Sequence, residues 1–265
     1  MTSVSIHQFK HWLKFHPNSR IRNVFIILKN IRSTELPTPQ VLNRCLYQAH
    51  KLVVNLVSGF MRFFYWTPAF KGRVAQCGKR LYLYGGLPFV SGPVQITIGD
   101  NCRISGHTTF SGCTQPLEGL EHPLLSIGNN VDIGWQSTIA VGGKVVISDN
   151  VRIAGGAFLF GYSGHPLDAK RRALGEGDDP QQIGDIILEQ DVWLGTNVTV
   201  KGGVTIGEGA VIAAGSVVTK NIPAFAIAGG NPARVVGQIK SVEVTESDVF
   251  DSGVFQGSCH HLLAY

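Results

Sequence analysis

Of the nine histidines in this 265-residue chain, His107, His122 and His165 lie in its glycine-rich middle, where each could hold a metal or move a proton. Zinc needs several convergent ligands, and no two of these histidines stand at a short ligand spacing. Proton transfer asks for a single imidazole of near-neutral basicity beside open space. His165 meets that condition best, because it ends a run of regular short repeats and opens the longest interruption in them, residues 164–187. From spacing alone it is either a general base or a structural histidine. The five cysteines (Cys45, Cys77, Cys102, Cys113 and Cys259) are odd in number and make no CxxC pair. With no secretory leader recognisable, the expectation is a reducing, cytoplasmic setting without a disulfide framework.

The repeats must supply the frame for these residues. From Ile98 onward apolar residues recur every six positions: Ile98, Ile104, Phe110; Ile127, Ile133, Ile139; Ile147, Ile153, Leu159; and Leu188, Leu194, Val200, Ile206, Ile212. With 44% apolar residues in the chain, fourteen such hits arise by chance roughly once in a hundred thousand. Four places on in each hexad stands a small residue, among them Cys102, Val131, Ala157, Val198, Ala210 and Ser216. A period of six fits neither a helix nor an alternating strand. It fits a chain that turns through about 120° after each short strand, so that three hexads close a triangular coil and stacked coils share one core. The 32 glycines suit so many tight corners. The expected fold is an all-β solenoid, and its register breaks at residues 115–126, 142–146 and 164–187 should be loops leaving the prism.

Charge divides the chain differently. The first 80 residues hold 13 Lys/Arg against one acid, Glu35, and the rest hold 10 against 17. A basic segment with helical apolar spacing in residues 24–31 and 52–64 therefore precedes an acidic solenoid. Such an extension either caps the first coil or, with Phe9, Trp12, Phe63, Phe64, Tyr65 and Trp66, meets an anionic membrane face. Asn55, Ser58 and Arg62 interrupt the apolar stretch 52–66, so no spanning helix is expected. The expected organisation is a basic helical N-terminal extension over residues 1–75, a β-helix domain over 76–222, and a C-terminal segment and tail over 223–265, whose end is unassigned.

Five runs are more specific than any hexad: Gly164-His165-Pro166-Leu167-Asp168, Asp191-Val192-Trp193-Leu194-Gly195, Gly203-Val204-Thr205-Ile206-Gly207, Ala214-Gly215-Ser216-Val217-Val218-Thr219-Lys220, and Gly229-Gly230-Asn231-Pro232-Ala233-Arg234. On these the chain resembles the hexapeptide-repeat acyltransferases, particularly their sugar O-acetyltransferase branch, over about residues 98–236. The resemblance implies a left-handed parallel β-helix, a homotrimer with sites between subunits, and acetyl-CoA as co-substrate, with no metal. It implies that His165 is the general base, and that Thr196, Ala214, Thr219, Lys220 and Arg234 contact the coenzyme, the last two near its phosphates. Trp193 aligns with a tryptophan flanking the active site, as an indole facing outward from a corner. Gly134 stands where the galactoside- and maltose-type enzymes carry an acceptor-binding Asn, followed by Trp135 and Gln136 as substrate-binding candidates. Gly237 replaces a second basic residue, which Lys170, Arg171 and Arg172 could supply.

The function so implied is transfer of acetyl from acetyl-CoA to a hydroxyl of a sugar or surface-polysaccharide precursor, possible at a membrane through residues 1–75. The rivals are a metalloenzyme of the γ-carbonic-anhydrase type, which uses the same prism with three histidines on zinc, and a non-catalytic scaffold. Nucleic acid is not an expected partner, since recognition motifs are missing despite the basic arm.

Overall fold

The computed structural model describes residues 6–115 and 121–239. The tail beyond 239, left unassigned from sequence, lies outside them, as do residues 116–120 within the first register break. Short strands stack as three parallel sheets, each one face of a three-sided left-handed β-helix. Face one runs from Gln76–Cys77 through Gln95–Ile98, Leu124–Ile127, Lys144–Ile147 and Ile186–Leu188 to Val204–Ile206. Face two runs from Tyr82–Tyr84 through Arg103–Ser105, Asp132–Ile133, Arg152–Ile153 and Trp193–Leu194 to Val211–Ile212. Face three runs from Phe89–Ser91 to Val217–Val218. That makes six coils.

All fourteen hexad residues are at most 3% exposed, and register pairing puts each on its equivalent one coil away, as in Ile104 on Ile133 and Ile153 on Leu194. The small residues four places on also point inward: Cys102, Val131, Ala157, Val198, Ala210 and Ser216 are all buried. At the corner between faces one and two every turn takes one residue with φ near +60°. Among them are Asn101, Asn130, Asn150 and Asp191, side chains that tolerate the left-handed region. Beside them Asp149 and Asn129 accept backbone N–H groups from the preceding coil, so polar groups at this corner pair along the stack.

A parallel solenoid has two open ends. Trp66 and Phe70 close the first, Phe70 at 1% exposure with its ring 6.2 Å from Phe110. The short helix Thr67–Lys71 carries Phe70 there. Past the sixth coil the chain adds Ala226–Gly230 to face two and folds Ala233–Gln238 back on it antiparallel, so the edge ends in a hairpin and not in another hexad. Capping thus falls to residues 66–71 of the basic extension. The extension's earlier helices are Ile6–Phe15, Ser19–Arg32 and Gln40–Met61, and the chain divides into two compact units at Asn55/Leu56.

Candidate active site

The three register breaks share one corner, that between faces three and one. The second and fourth coils leave the prism there, and the third closes with the tight Gly142 step between them. A Cβ on Gly142 would lie 2.2 Å from the Gly161 carbonyl oxygen, so the coils touch at this step.

His165 is exposed at the start of the longer loop. Its backbone is held from across that loop. One carboxylate oxygen of Asp178, a residue only 5% exposed, accepts from the Ser163 N–H at 3.0 Å, the Ser163 hydroxyl at 2.5 Å and the Gly164 N–H at 2.6 Å. Gln182 donates to the Ser163 hydroxyl at 2.9 Å. With its carboxamide oriented to suit its partners, Gln115 bonds the Asp178 carbonyl oxygen at 2.7 Å and N–H at 3.2 Å, joining the two loops. Gly164, at φ +85°, then turns the chain as no β-carbon-bearing residue would without strain. Asp178, Gln182 and Gln115 escaped the sequence reading because they belong to no repeat and no quoted run.

Asp168, in the same run as His165, caps the helix Ala169–Ala173 by accepting from Lys170 and Arg171 N–H groups at 2.9 and 2.8 Å. Two of the three loop cations considered for the coenzyme are committed to the loop itself. Arg171 pairs with Glu176 at 2.7 Å and Asp179 at 2.5 Å, and these bonds hold its guanidinium pKa above the ordinary range. Arg172 donates to the Pro166 and Leu167 carbonyls, both at 3.0 Å.

All nine site residues expected from the sequence are exposed, but they fall on two sides of the prism. Thr219 and Lys220 follow face three and so share the corner of His165, two coils along, or ~10 Å at the usual strand spacing. Trp135 and Gln136, Thr196, and Ala214 line the corner between faces two and three, on the third, fifth and sixth coils. Trp193 is not at a corner. It stands on face two itself, 53% exposed and in register with Arg152 and Val211, because it directly precedes the inward Leu194. Arg234 is exposed in the terminal hairpin. In a three-sided prism the corner of His165 lies opposite face two, so one chain does not bring His165 and Trp193 together.

Trp135 packs against His107 with ring centroids 3.8 Å apart and planes tilted by 33°, which directs its ring toward the earlier coils. Gly134 has a packing cause: a Cβ there would lie 2.6 Å from the Gly155 nitrogen. The next coil leaves no room for a side chain at this position. On face two Arg103 pairs with Asp132 at 3.3 Å. Burial raises the carboxyl pKa of Asp132 against that arginine, and burial followed by the Asp132 charge pushes the Tyr84 phenol up to about 12. Among the described residues no three His, Cys, Asp or Glu side chains converge to hold a metal ion.

Residues 185–220 match the family model described as bacterial transferase hexapeptide (six repeats). The chain is 35% identical over 143 residues to the galactoside O-acetyltransferase of Escherichia coli, covering 54% of this chain and 64% of that one. It is 41% identical over 119 residues to the polysialic acid O-acetyltransferase of Escherichia coli, covering 41% of this chain and 36% of the relative. The chain thus spans less than two thirds of either relative. Among solved structures it is similar in fold to AntD, an N-acyltransferase from Bacillus cereus in complex with dTDP and 3-hydroxybutyryl-CoA. That match has a TM-score of 0.53 at 20% identity, covering 67% of this chain and 90% of that one.

Proposed function

We propose that the chain is a hexapeptide-repeat acetyltransferase that transfers acetyl from acetyl-CoA to a hydroxyl of a sugar or surface-polysaccharide precursor. The observation that carries this reading is an exposed histidine at a loop mouth, anchored from behind by a buried carboxylate. In the proposed step a ring nitrogen of His165 takes the acceptor's hydroxyl proton as the oxygen attacks the thioester carbonyl carbon. The tetrahedral intermediate collapses, the C–S bond breaks, and the imidazolium returns the proton to the departing CoA thiolate. Direct attack leaves no acyl group on the enzyme, so no nucleophilic Ser or Cys is involved.

The active unit is a homotrimer. His165 with Thr219 and Lys220 on one chain faces Trp193, Thr196 and Ala214 on the next, and the pantetheine arm lies in the groove between them. Lys220 and Arg234 offer cations to its phosphates. Galactoside and polysialic acid O-acetyltransferases among the relatives support a sugar hydroxyl as the acceptor. The setting is cytoplasmic, where acetyl-CoA is made, with the acceptor a lipid-linked precursor at the inner face of the plasma membrane.

Turnover of acetyl-CoA with a panel of sugar acceptors tests the mechanism. His165→Ala lowers kcat by about 10²- to 10⁴-fold, the range of general-base contributions, while CoA binding stays within a few-fold of wild type. Full activity in that variant rules out His165 as the base.

A further inference from the structure

We propose that the helices of residues 6–61 lie in the headgroup region of an anionic lipid bilayer, apolar sectors toward the acyl chains and cationic sectors toward the phosphates. The inference goes beyond the acetyltransferase reading and does not rest on it. Its strongest support is the helix Gln40–Met61. At 100° per residue, Leu42, Leu46, Val53, Leu56, Val57 and Phe60 fall in one sector, and Arg44, Gln48, Lys51, Asn55 and Ser58 fall opposite. Those six apolar side chains are 46–64% exposed, a stripe along some five turns of helix. A water-facing helix of this kind is uncommon without a partner.

The helix Ile6–Phe15 also combines exposed apolar side chains with cations. Ile6, Phe9 and Trp12 are at least half exposed, and the same helix carries Lys10 and Lys14. The Phe9 and Trp12 rings stack at 6.0 Å, and aromatic rings of this type favour the boundary between headgroup and hydrocarbon. In Ser19–Arg32 exposed Val24, Ile27, Leu28 and Ile31 accompany Arg20, Arg22 and Lys29.

Charge selects the occupant. Residues 6–61 contain eight Lys/Arg and a single acid, Glu35, so a second copy of the arm would meet like charge with almost nothing to offset it. An anionic headgroup layer supplies the opposite charge and the apolar depth together. Among the described residues no helix is long and apolar enough to cross a membrane, which leaves an in-plane position.

The full chain is floated with vesicles of phosphatidylcholine alone or of phosphatidylcholine with phosphatidylglycerol. Wild type rises with the anionic vesicles, and high salt or zwitterionic lipid lowers the bound fraction at least tenfold. Replacing Arg44 and Lys51 by Gln weakens partition about fivefold per cation at low salt. Val53→Asp with Leu56→Asp abolishes flotation while the thermal melt, followed by circular dichroism, keeps its midpoint. Three outcomes would overturn the proposal: no flotation of wild type, equal binding to both lipids, or equal binding by the double Asp variant. A loss of oligomeric mass in that variant, with wild type failing to float, would assign the stripe to contact between copies. Flotation needs no turnover, so a failed acetyltransferase assay leaves this result intact, and the converse holds.

Discussion

A histidine can act as a base only from a fixed place, and at His165 the fixing is done by Asp178. One of its oxygens accepts from the Ser163 N–H and hydroxyl and the Gly164 N–H, the backbone immediately before His165. The Ser163 hydroxyl has a single proton; at 2.5 Å it goes to the carboxylate, and the Gln182 amide fills the lone pair. Asp178→Ala frees this turn without touching the reacting groups. Expected is a fall in kcat of about 10- to 100-fold, the scale of an ångström's misplacement, with the KM for acetyl-CoA within twofold. Asp178→Asn keeps an acceptor and recovers part of the rate. A variant that loses stability but not kcat would reduce Asp178 to a loop staple. Nothing in the sequence marked it: the contact spans fifteen residues inside an unrepeated segment, and a carboxylate among Gly, Asp and Pro reads as surface. His165, by contrast, stands out in the sequence because it lies where the repeat stops.

At the scale of elements, legibility followed the constraint. An inward position in a stacked coil has only a large apolar solution, so the fourteen-residue ladder repeats in sequence and is buried throughout. The first coil was less visible. Its inward residues Cys77, Leu83 and Val90 pair with Ile98, Ile104 and Phe110, yet Leu83 and Val90 are seven apart, the corner at Gly85 and Gly86 taking an extra residue. The terminal hairpin has no hexad at all. Phe70 is the buried ring of the cap on the first coil, and in a solenoid the loss of a cap acts on its neighbours and not on the whole stack. Phe70→Ala removes a buried aromatic, a cost of about 3–5 kcal/mol. Expected is faster amide hydrogen exchange in residues 76–91, with protection in 186–218 unchanged. Uniform loss of protection along the stack would mean the coils unfold as one unit.

At the scale of the whole molecule, the opposition between the His165 corner and face two becomes a statement about assembly. If the catalytic base comes from one chain and the indole wall from the next, two variants that are each inactive can repair one another. His165→Ala keeps a sound Trp193, and Trp193→Ala keeps a sound His165. When the two are unfolded together in equal amounts and refolded, a site is intact wherever a Trp193→Ala chain supplies the histidine and a His165→Ala neighbour supplies the tryptophan. Random assembly gives that pairing at about one site in four, so activity returns to about a quarter of wild type from parents near zero. Simple mixing without subunit exchange restores none. Refolded mixtures that stay as inactive as their parents, on a protein of confirmed trimeric mass, would put both residues' work within a single chain.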